Sequence, residues 1–273
     1  MSSQSRSAGS SKPSRVTTRR LQKMRDDGKR ISMLTAYDFP TAEVLDEAGI
    51  DVLLVGDSLG MVVQGRDTTL QVTMDQMIYH AEMVARAAKR AMVVVDLPFP
   101  EGQLEIIRSI ESSARVLQET NAHAVKLEGG AEQADRIAAI VTAGIPVMAH
   151  VGLRPQNVHV DGGYRVQRDA QSLVKDAQAA EKAGAFAVLV ECVPVEIGKQ
   201  INDAVSVPTI GIGAGPHLTG QVLVTNDMIG FHSGYSPKFV RKLGDVRTAI
   251  ADAAKAYADA ISDGSFPSED ESF

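Results

Sequence analysis

The 273-residue sequence has no tryptophan, a single cysteine and no long apolar run. The one thiol, Cys192, excludes an internal disulfide and suits a reducing compartment. Because no apolar run approaches the ~20 residues that cross a bilayer, we predict no membrane-spanning segment. The formal net charge of -6 disfavours nucleic acid and anionic membranes, which bind clustered Lys and Arg. These absences predict a cytoplasmic protein whose partner is a small molecule.

Both ends of the chain are predicted to lie outside the folded domain. Residues 1–16 are rich in serine with a few basic side chains, and we interpret them as a disordered tail, although a transit peptide has a similar composition. Residues 263–273 are polar and acidic and are interpreted as a second tail. Residues 17–262 form a single predicted domain, and a short helix at 19–27 is expected to plug one end of it.

Short apolar segments alternate with segments of helical period along this domain. Nearly continuous apolar strands are buried on both faces, which indicates a parallel sheet with helices outside it. Eight such units favour a closed (β/α)8 TIM barrel over an open doubly wound sheet. The predicted strands are residues 32–37, 52–56, 92–97, 124–127, 147–150, 187–191, 209–211 and, more weakly, 222–224. The predicted helices are 40–48, 73–89, 103–119, 131–141, 172–183, 195–204, 237–243 and 246–261, with a short turn near His217.

Polar and ionisable residues recur where the apolar strands stop. In a parallel β/α barrel all of these strand ends face one mouth, so we expect the side chains to converge on a single cavity. The residues are Tyr37, Asp38, Asp57, Ser58, Asp96, Lys126, Glu128, His150, Glu191 and the loop 211–215.

The three acidic residues Asp57, Asp96 and Glu128 are candidate metal ligands. They offer only oxygen atoms, which suits a hard cation such as Mg²⁺ better than zinc. Alternatively, each carboxylate caps a following helix or pairs with a basic neighbour. Three carboxylates at one mouth repel one another unless a cation or protons offset their charge, which favours the metal site.

Five other features near the mouth are a lysine, a histidine, a further acid, a glycine-rich loop and the cysteine. Lys126 can bind a substrate carboxylate or pair with one of the acids, and His150 can lie near the substrate or be purely structural. Glu191 emerges from an apolar strand, so a desolvated carboxylate there is a candidate general base. The glycine-rich loop 211–215 is only weakly similar to a phosphate-binding loop, and Cys192 is interpreted as packing.

Eight segments of the sequence resemble the ketopantoate hydroxymethyltransferase family. The similarity runs in order from about residue 18 to residue 273, so it covers most of the chain. It implies a barrel of the phosphoenolpyruvate/pyruvate type. The segments are MLTAYD (33–38), VLLVGDSLGMVVQG (52–65), DLPF (96–99), VKLEGG (125–130), GLRPQNVHVDGGYRVQ (152–167), ECVP (191–194), IGIGAG (210–215) and GQVLV (220–224).

The resemblance implies transfer of a hydroxymethyl group from 5,10-methylenetetrahydrofolate to 3-methyl-2-oxobutanoate, giving 2-dehydropantoate at the first step of pantothenate synthesis. It implies Mg²⁺ and a homo-oligomer that is often a decamer, while the net charge and the lack of long apolar runs predict no nucleic-acid or membrane partner. The loop after Gln167 is shorter than in many members, which bears on closure over the folate. The implied roles are metal binding for Asp57, Asp96 and Glu128, proton acceptance for Glu191, and keto-acid contact for Asp57, Ser58, Asp96, Lys126 and His150.

Two other functions stay open from the sequence. A lyase or mutase of the same barrel group commonly has a catalytic cysteine on a mobile loop, whereas Cys192 directly follows the strand that ends at Glu191. A barrel that only binds metabolites or a protein would have no need of metal ligands, a lysine and a base together.

Overall fold

The computed structural model describes residues 14–231, 234 and 236–273, so most of the predicted N-terminal tail lies outside the described residues. Eight parallel strands pair in chain order, and β8 pairs with β1 to close the barrel. The predicted closed barrel is therefore confirmed. The strands are β1 Ile31–Thr35, β2 Val52–Val55, β3 Met92–Asp96, β4 Ala124–Glu128, β5 Val147–Gly152, β6 Ala187–Glu191, β7 Thr209–Ile212 and β8 Gly220–Leu223.

Helices follow most of the strands and form the outer layer. The described helices are α1 Thr18–Asp26, α2 Phe39–Glu47, α3 Leu59–Val62, α4 Met74–Ala87, α5 Ile106–Thr120, α6 Ala134–Thr142, α7 Ala170–Lys182, α8 Val195–Ala204, α9 Thr225–Met228 and α10 Val246–Asp263. Short 3₁₀ turns cover Ala131–Gln133, Pro155–Asn157 and Glu269–Glu271. The chain between β7 and β8 has a turn at Pro216 and His217, as predicted.

The predicted helix at residues 237–243 is wrong. Only a turn forms there, in which the Val240 N–H donates to the Pro237 carbonyl at 2.9 Å. The Leu243 N–H donates instead to the carbonyl of Met228 at 2.7 Å. Because α9 supplies this partner, the segment satisfies its backbone by lying along α9 rather than by coiling on itself.

A first apolar cluster fills the inside of the barrel. Successive side chains of a strand point to opposite faces, so every second residue of each strand enters this interior. Leu21 of α1 is buried in the same cluster, which confirms that α1 plugs one end of the barrel. Arg15 and Val16, assigned to the tail by sequence, belong to the folded part, because Val16 is buried and Arg15 donates to the carbonyls of Ala88 and Ala91.

A second and larger apolar cluster lies between the outward faces of the strands and the surrounding helices. Leu53 and Val55 of β2 and Val93 and Val95 of β3 contribute to it. These strands are therefore buried on both faces, as the apolar runs predicted.

The C-terminal part of the described chain lies outside both clusters. α10 buries none of its residues and ends at Gly264, whose φ of +75° suits a helix C-cap. Phe266, beyond this cap, packs edge-on against Tyr257 with ring centroids 5.4 Å apart. None of the helices among the described residues combines the length and apolarity needed to cross a bilayer.

Gly198 fixes the distance between α8 and the loop that follows β7. A Cβ at this position would lie 2.2 Å from the carbonyl oxygen of Ala214, which is backbone and cannot swing away. We expect Gly198→Ala to lower the free energy of unfolding by about 1–3 kcal/mol through overpacking, outweighing a gain of up to about 1 kcal/mol in helix propensity.

Urea denaturation of Gly198→Ala and Gly102→Ala provides the comparison. A Cβ at Gly102 would meet its nearest atoms, in the side chain of Leu127, at an ordinary 3.7 Å. Equal stability of the two variants would show that the close approach of α8 to this loop is not needed.

Candidate active site

The polar residues predicted at the strand ends face the barrel interior because they continue the two-residue period of the core. On β4, Lys126 and Glu128 follow the interior residue Ala124. Asp96 pairs in register with Lys126, and Glu128 with His150 on the next strand. The predicted convergence on one mouth is thus observed for the side chains of β3, β4 and β5.

Lys126 forms a buried ion pair at the centre of this group. Its Nζ lies 2.7 Å from Asp96 Oδ1, and the two residues are 5% and 2% exposed. The other oxygen of Asp96 accepts a hydrogen bond from the backbone N–H of Asp57 at 3.0 Å. Of the two interpretations of Lys126, the ion pair is present, and contact with a substrate carboxylate stays a prediction.

The buried carboxyl groups raise one another's proton affinity. The pKa of Asp57 is raised to about 7, mainly by burial and secondly by repulsion from Asp96. The pKa of Glu128 is raised well above its usual value, mainly by burial and secondly by repulsion from Asp57. Burial alone would lower the pKa of Lys126, but Asp96, Glu128 and Asp57 together raise it. This is the mutual repulsion that the sequence predicted.

The donor set matches a hard cation in chemistry and charge. The side chains of Asp57, Asp96 and Glu128 offer only oxygen atoms as ligands. Lys126 contributes one positive charge, which balances one of the three carboxylates when all are ionised. Glu128 Oε1 is buried without a hydrogen-bond donor among the described residues. In the described ranges, however, no three His, Cys, Asp or Glu side chains are grouped so as to hold an ion by themselves. Mg²⁺ usually keeps several waters and binds through one or two carboxylates, so a full protein cage is not required.

Glu191 and His150 lie beside the carboxylates. His150 Nε2 is 3.2 Å from Glu191 Oε2, and His150 Nδ1 is 3.7 Å from Glu128 Oε1, although neither contact has hydrogen-bond geometry. The pKa of His150 is lowered well below its usual value, mainly by burial and secondly by the positive charge of Lys126, so the imidazole is neutral. Burial raises the pKa of Glu191 to about 7, against the opposing charge of Lys126. A carboxyl group of this pKa can exchange a proton near neutral pH.

Ser58 and Cys192 are two further residues that the sequence predicts near the mouth. Ser58 precedes α3, and its Oγ lies 2.8 Å from the hydroxyl of Tyr37, which is buried. Burial, followed by the charge of Glu191, raises the pKa of the Cys192 thiol to about 12. Because the thiolate is the reactive form, this supports the interpretation of Cys192 as packing.

The segment between β5 and α7 crosses the mouth. The Leu153 N–H donates to the carbonyl of Glu191 at 2.9 Å, and the Gln167 N–H donates to the carbonyl of Cys192 at 3.0 Å. Between these anchors the hydroxyl of Tyr164 lies 3.7 Å from the sulfur of Met61, on α3. Burial, followed by the charge of Asp57, raises the pKa of Tyr164. The segment therefore spans from the end of β6 to the region that follows β2.

Gln156 is a site residue that sequence reasoning missed. Its side-chain amide donates to Asp57 Oδ2 at 2.8 Å and to the carbonyl of Leu97 at 3.0 Å, while its backbone N–H donates to Glu128 Oε2 at 3.1 Å. It carries no charge and lies beyond the strand end, so the pattern of ionisable residues did not select it. Its place in the motif GLRPQ was the one signal that could have pointed to it.

A closed parallel barrel with buried ionisable residues at the carboxyl ends of its strands is the architecture of a β/α-barrel enzyme. Among solved structures, a 2,3-dimethylmalate lyase, described as a member of the PEP mutase/isocitrate lyase superfamily, is similar with a TM-score of 0.60 and 18% identity, covering 90% of this chain and 88% of that chain. A phosphonopyruvate hydrolase, described in complex with oxalate and Mg²⁺, gives a TM-score of 0.59 and 16% identity, covering 93% and 92%. At these identities the likeness shows the fold alone, which is the predicted β/α barrel.

The particular family follows from the sequence comparisons. The profile of the ketopantoate hydroxymethyltransferase family matches residues 15–269. The 3-methyl-2-oxobutanoate hydroxymethyltransferase of Rhodopirellula baltica is 69% identical over 260 residues, which are 95% of this chain and 97% of that protein. The protein of the same name from Desulforapulum autotrophicum is 54% identical, over 95% of this chain and 98% of that protein. The chain belongs to the ketopantoate hydroxymethyltransferase family, which is a family of enzymes.

Proposed function

We propose that this chain transfers a hydroxymethyl group from 5,10-methylenetetrahydrofolate to 3-methyl-2-oxobutanoate in a Mg²⁺-dependent reaction that gives 2-dehydropantoate and tetrahydrofolate. The names of the relatives support the keto-acid substrate. The observation that carries the chemistry is the position of Glu191, a carboxyl group of pKa about 7, beside a buried cluster of acids and one lysine. The product would enter the synthesis of pantothenate and coenzyme A.

The residues that would hold the cation are Asp57, Asp96 and Glu128. The unpartnered Glu128 Oε1 and the excess of carboxylate over ammonium charge support this assignment. When bound, Mg²⁺ would supply Lewis-acid polarisation of the 2-oxo group of the substrate.

The protein's own residues would bind the substrate and move one proton. Lys126, with Ser58 nearby in the mouth, would bind and orient the substrate carboxylate. Glu191 would accept the proton on C3, and C3 would then attack the methylene carbon carried by the folate, whose bonds to the folate nitrogens break. Neutral His150, 3.2 Å from Glu191, would pack against the base without competing for its proton. Water would supply the hydroxyl oxygen as tetrahydrofolate leaves.

The pH dependence of the reaction follows from the pKa of Glu191. This group must be ionised to accept a proton, and burial raises its pKa to about 7 in the free enzyme. We expect kcat/KM at saturating Mg²⁺ to fall about tenfold per pH unit below that value and to level off above it. Initial rates between pH 5 and pH 9 measure the profile. A flat profile from pH 5 to pH 8 would contradict the assignment of Glu191 as the base.

A direct assay separates the proposed reaction from its rivals. We expect 3-methyl-2-oxobutanoate to be consumed only when both methylenetetrahydrofolate and Mg²⁺ are present, with chelation by EDTA stopping the reaction. A lyase or mutase would turn over without the folate, and a noncatalytic barrel would consume nothing. Either result would contradict the proposal.

Other properties predicted from the sequence and from the family resemblance also remain proposals. They are a cytoplasmic location, assembly into a homo-oligomer such as a decamer, and the absence of nucleic-acid and membrane partners. The division into one barrel domain with a tail at each end is likewise a sequence prediction, except that Arg15 and Val16 belong to the folded part.

A further inference from the structure

Gln156 connects two of the candidate metal ligands from outside the strands. It lies in the 3₁₀ turn Pro155–Asn157 and is 6% exposed. Its side chain donates to Asp57 Oδ2, and its backbone N–H donates to Glu128 Oε2. One residue therefore contacts the carboxylate of Asp57, which follows β2, and that of Glu128, the last residue of β4.

The orientation of the Gln156 amide is fixed by its partners. The carbonyl of Leu97 and the carboxylate of Asp57 are both acceptors, so both must face the NH₂ group. Gln103 donates from its own side-chain amide to Gln156 Oε1 at 2.9 Å, so the oxygen must face the opposite way. Glutamate or methionine at position 156 would have a similar length but could not supply two N–H donors.

These hydrogen bonds occupy one oxygen on each carboxylate of the cluster. The side chain of Gln156 donates to Asp57 Oδ2 and its backbone N–H donates to Glu128 Oε2. The backbone N–H of Asp57 donates to Asp96 Oδ2. The second oxygen of Glu128 is left buried without a hydrogen-bond donor in the described part of the chain. An N–H on one oxygen fixes the rotation of the whole carboxylate, and so decides where its other oxygen points.

We propose that Gln156 is a positioning residue for the cation site, which holds the carboxylates of Asp57 and Glu128 so that their remaining oxygens face the cation. This inference rests on the proposed function, because it presupposes that the acids bind Mg²⁺. Partners of this kind, which orient a ligand without touching the metal, contribute about 10- to 100-fold to metal affinity.

The test is a calorimetric titration of the folate-free protein with Mg²⁺. Gln156→Met keeps the length of the side chain and removes both N–H donors of the side-chain amide, while the backbone N–H stays in place. We expect it to weaken Mg²⁺ binding by about 10- to 100-fold. Gln103→Met is the matched control, because it removes the donor to Gln156 Oε1, on the side of the amide away from the acids. We expect it to change Mg²⁺ affinity by less than threefold. In turnover assays, raising the Mg²⁺ concentration should restore most of the activity of Gln156→Met.

Gln156→Asn provides a second variant that keeps an amide, should Gln156→Met fail to fold. Its side chain is shorter by one carbon–carbon bond, about 1.5 Å, so its amide cannot reach Asp57, and we again expect weaker Mg²⁺ binding. Parental affinity in a folded Gln156 variant would overturn the positioning role while leaving the proposed function intact. Absence of Mg²⁺ binding by the parent protein would overturn both.

Discussion

Glu191→Gln is expected to bind Mg²⁺ and 3-methyl-2-oxobutanoate as the parent does and to lose about 10²- to 10⁴-fold in kcat, the usual contribution of a general base. Glutamine keeps the shape of the side chain and cannot accept the C3 proton. Because the carboxyl group of Glu191 is already shifted to a pKa of about 7 by burial, the neutral amide costs the folded state little. The step can be followed without the folate, as exchange of the C3 hydrogen with D₂O by proton NMR.

Glu196→Gln is the matched control for this variant. Glu196 lies in the first turn of α8 and is exposed, so the same substitution five residues away leaves the mouth unchanged. We expect C3 exchange at the parental rate in this control and no measurable exchange in Glu191→Gln. Normal exchange in Glu191→Gln would remove Glu191 from the role of base.

Asp57→Asn is expected to weaken Mg²⁺ binding on the order of 100-fold or more. Removing one partner of a buried pair of opposite charges costs about 3–5 kcal/mol, which here would be lost from the free energy of Mg²⁺ binding. Asparagine retains an oxygen that can accept from Gln156, so the local fold should persist. The metal-free variant should also be more stable than the parent at pH 8. The pKa of Asp57 is raised to about 7, so its ionised form destabilises the folded state increasingly as the pH rises from about 4 to 7.

Asp51→Asn makes the same chemical change at the other end of the same strand. Asp51 directly precedes β2, is buried, and pairs with Arg90 at 2.7 Å and with Ser32 at 2.9 Å. Losing these contacts should lower stability without altering Mg²⁺ affinity. Calorimetric titration of both variants and thermal unfolding in EDTA measure the two effects. Equal Mg²⁺ affinity in Asp57→Asn and Asp51→Asn would exclude Asp57 from the metal site.

The barrel and the chemistry at its mouth were predictable because each depends on local pattern. Apolar runs such as the one at β3 identify strands buried on both faces, and parallel strands place their carboxyl ends on one side. A single ionisable residue at the end of such a run, as with Asp96, Lys126 or Glu191, must then face the mouth. Repulsion among the acids could also be predicted, since it follows from placing several of them together.

What could not be predicted depends on contacts between distant parts of the chain. Gln156 acquires its place from Asp57, 99 residues earlier in the sequence, through an uncharged amide that no charge pattern marks. The helix expected at residues 237–243 fails because the carbonyl of Met228 competes for a backbone N–H. Lys126 had two possible partners at one spacing, and the 2.7 Å distance to Asp96 identifies one of them.

The central claim is that buried acids at one mouth bind a divalent cation beside a base that faces C3 of the keto acid. A crystal structure with Mg²⁺ and 3-methyl-2-oxobutanoate tests it most directly. We expect a cation about 2.1 Å from oxygens of one or more of Asp57, Asp96 and Glu128, with the Glu191 carboxylate directed at C3. A cation or keto acid bound elsewhere, with these side chains still joined only to one another, would contradict the account.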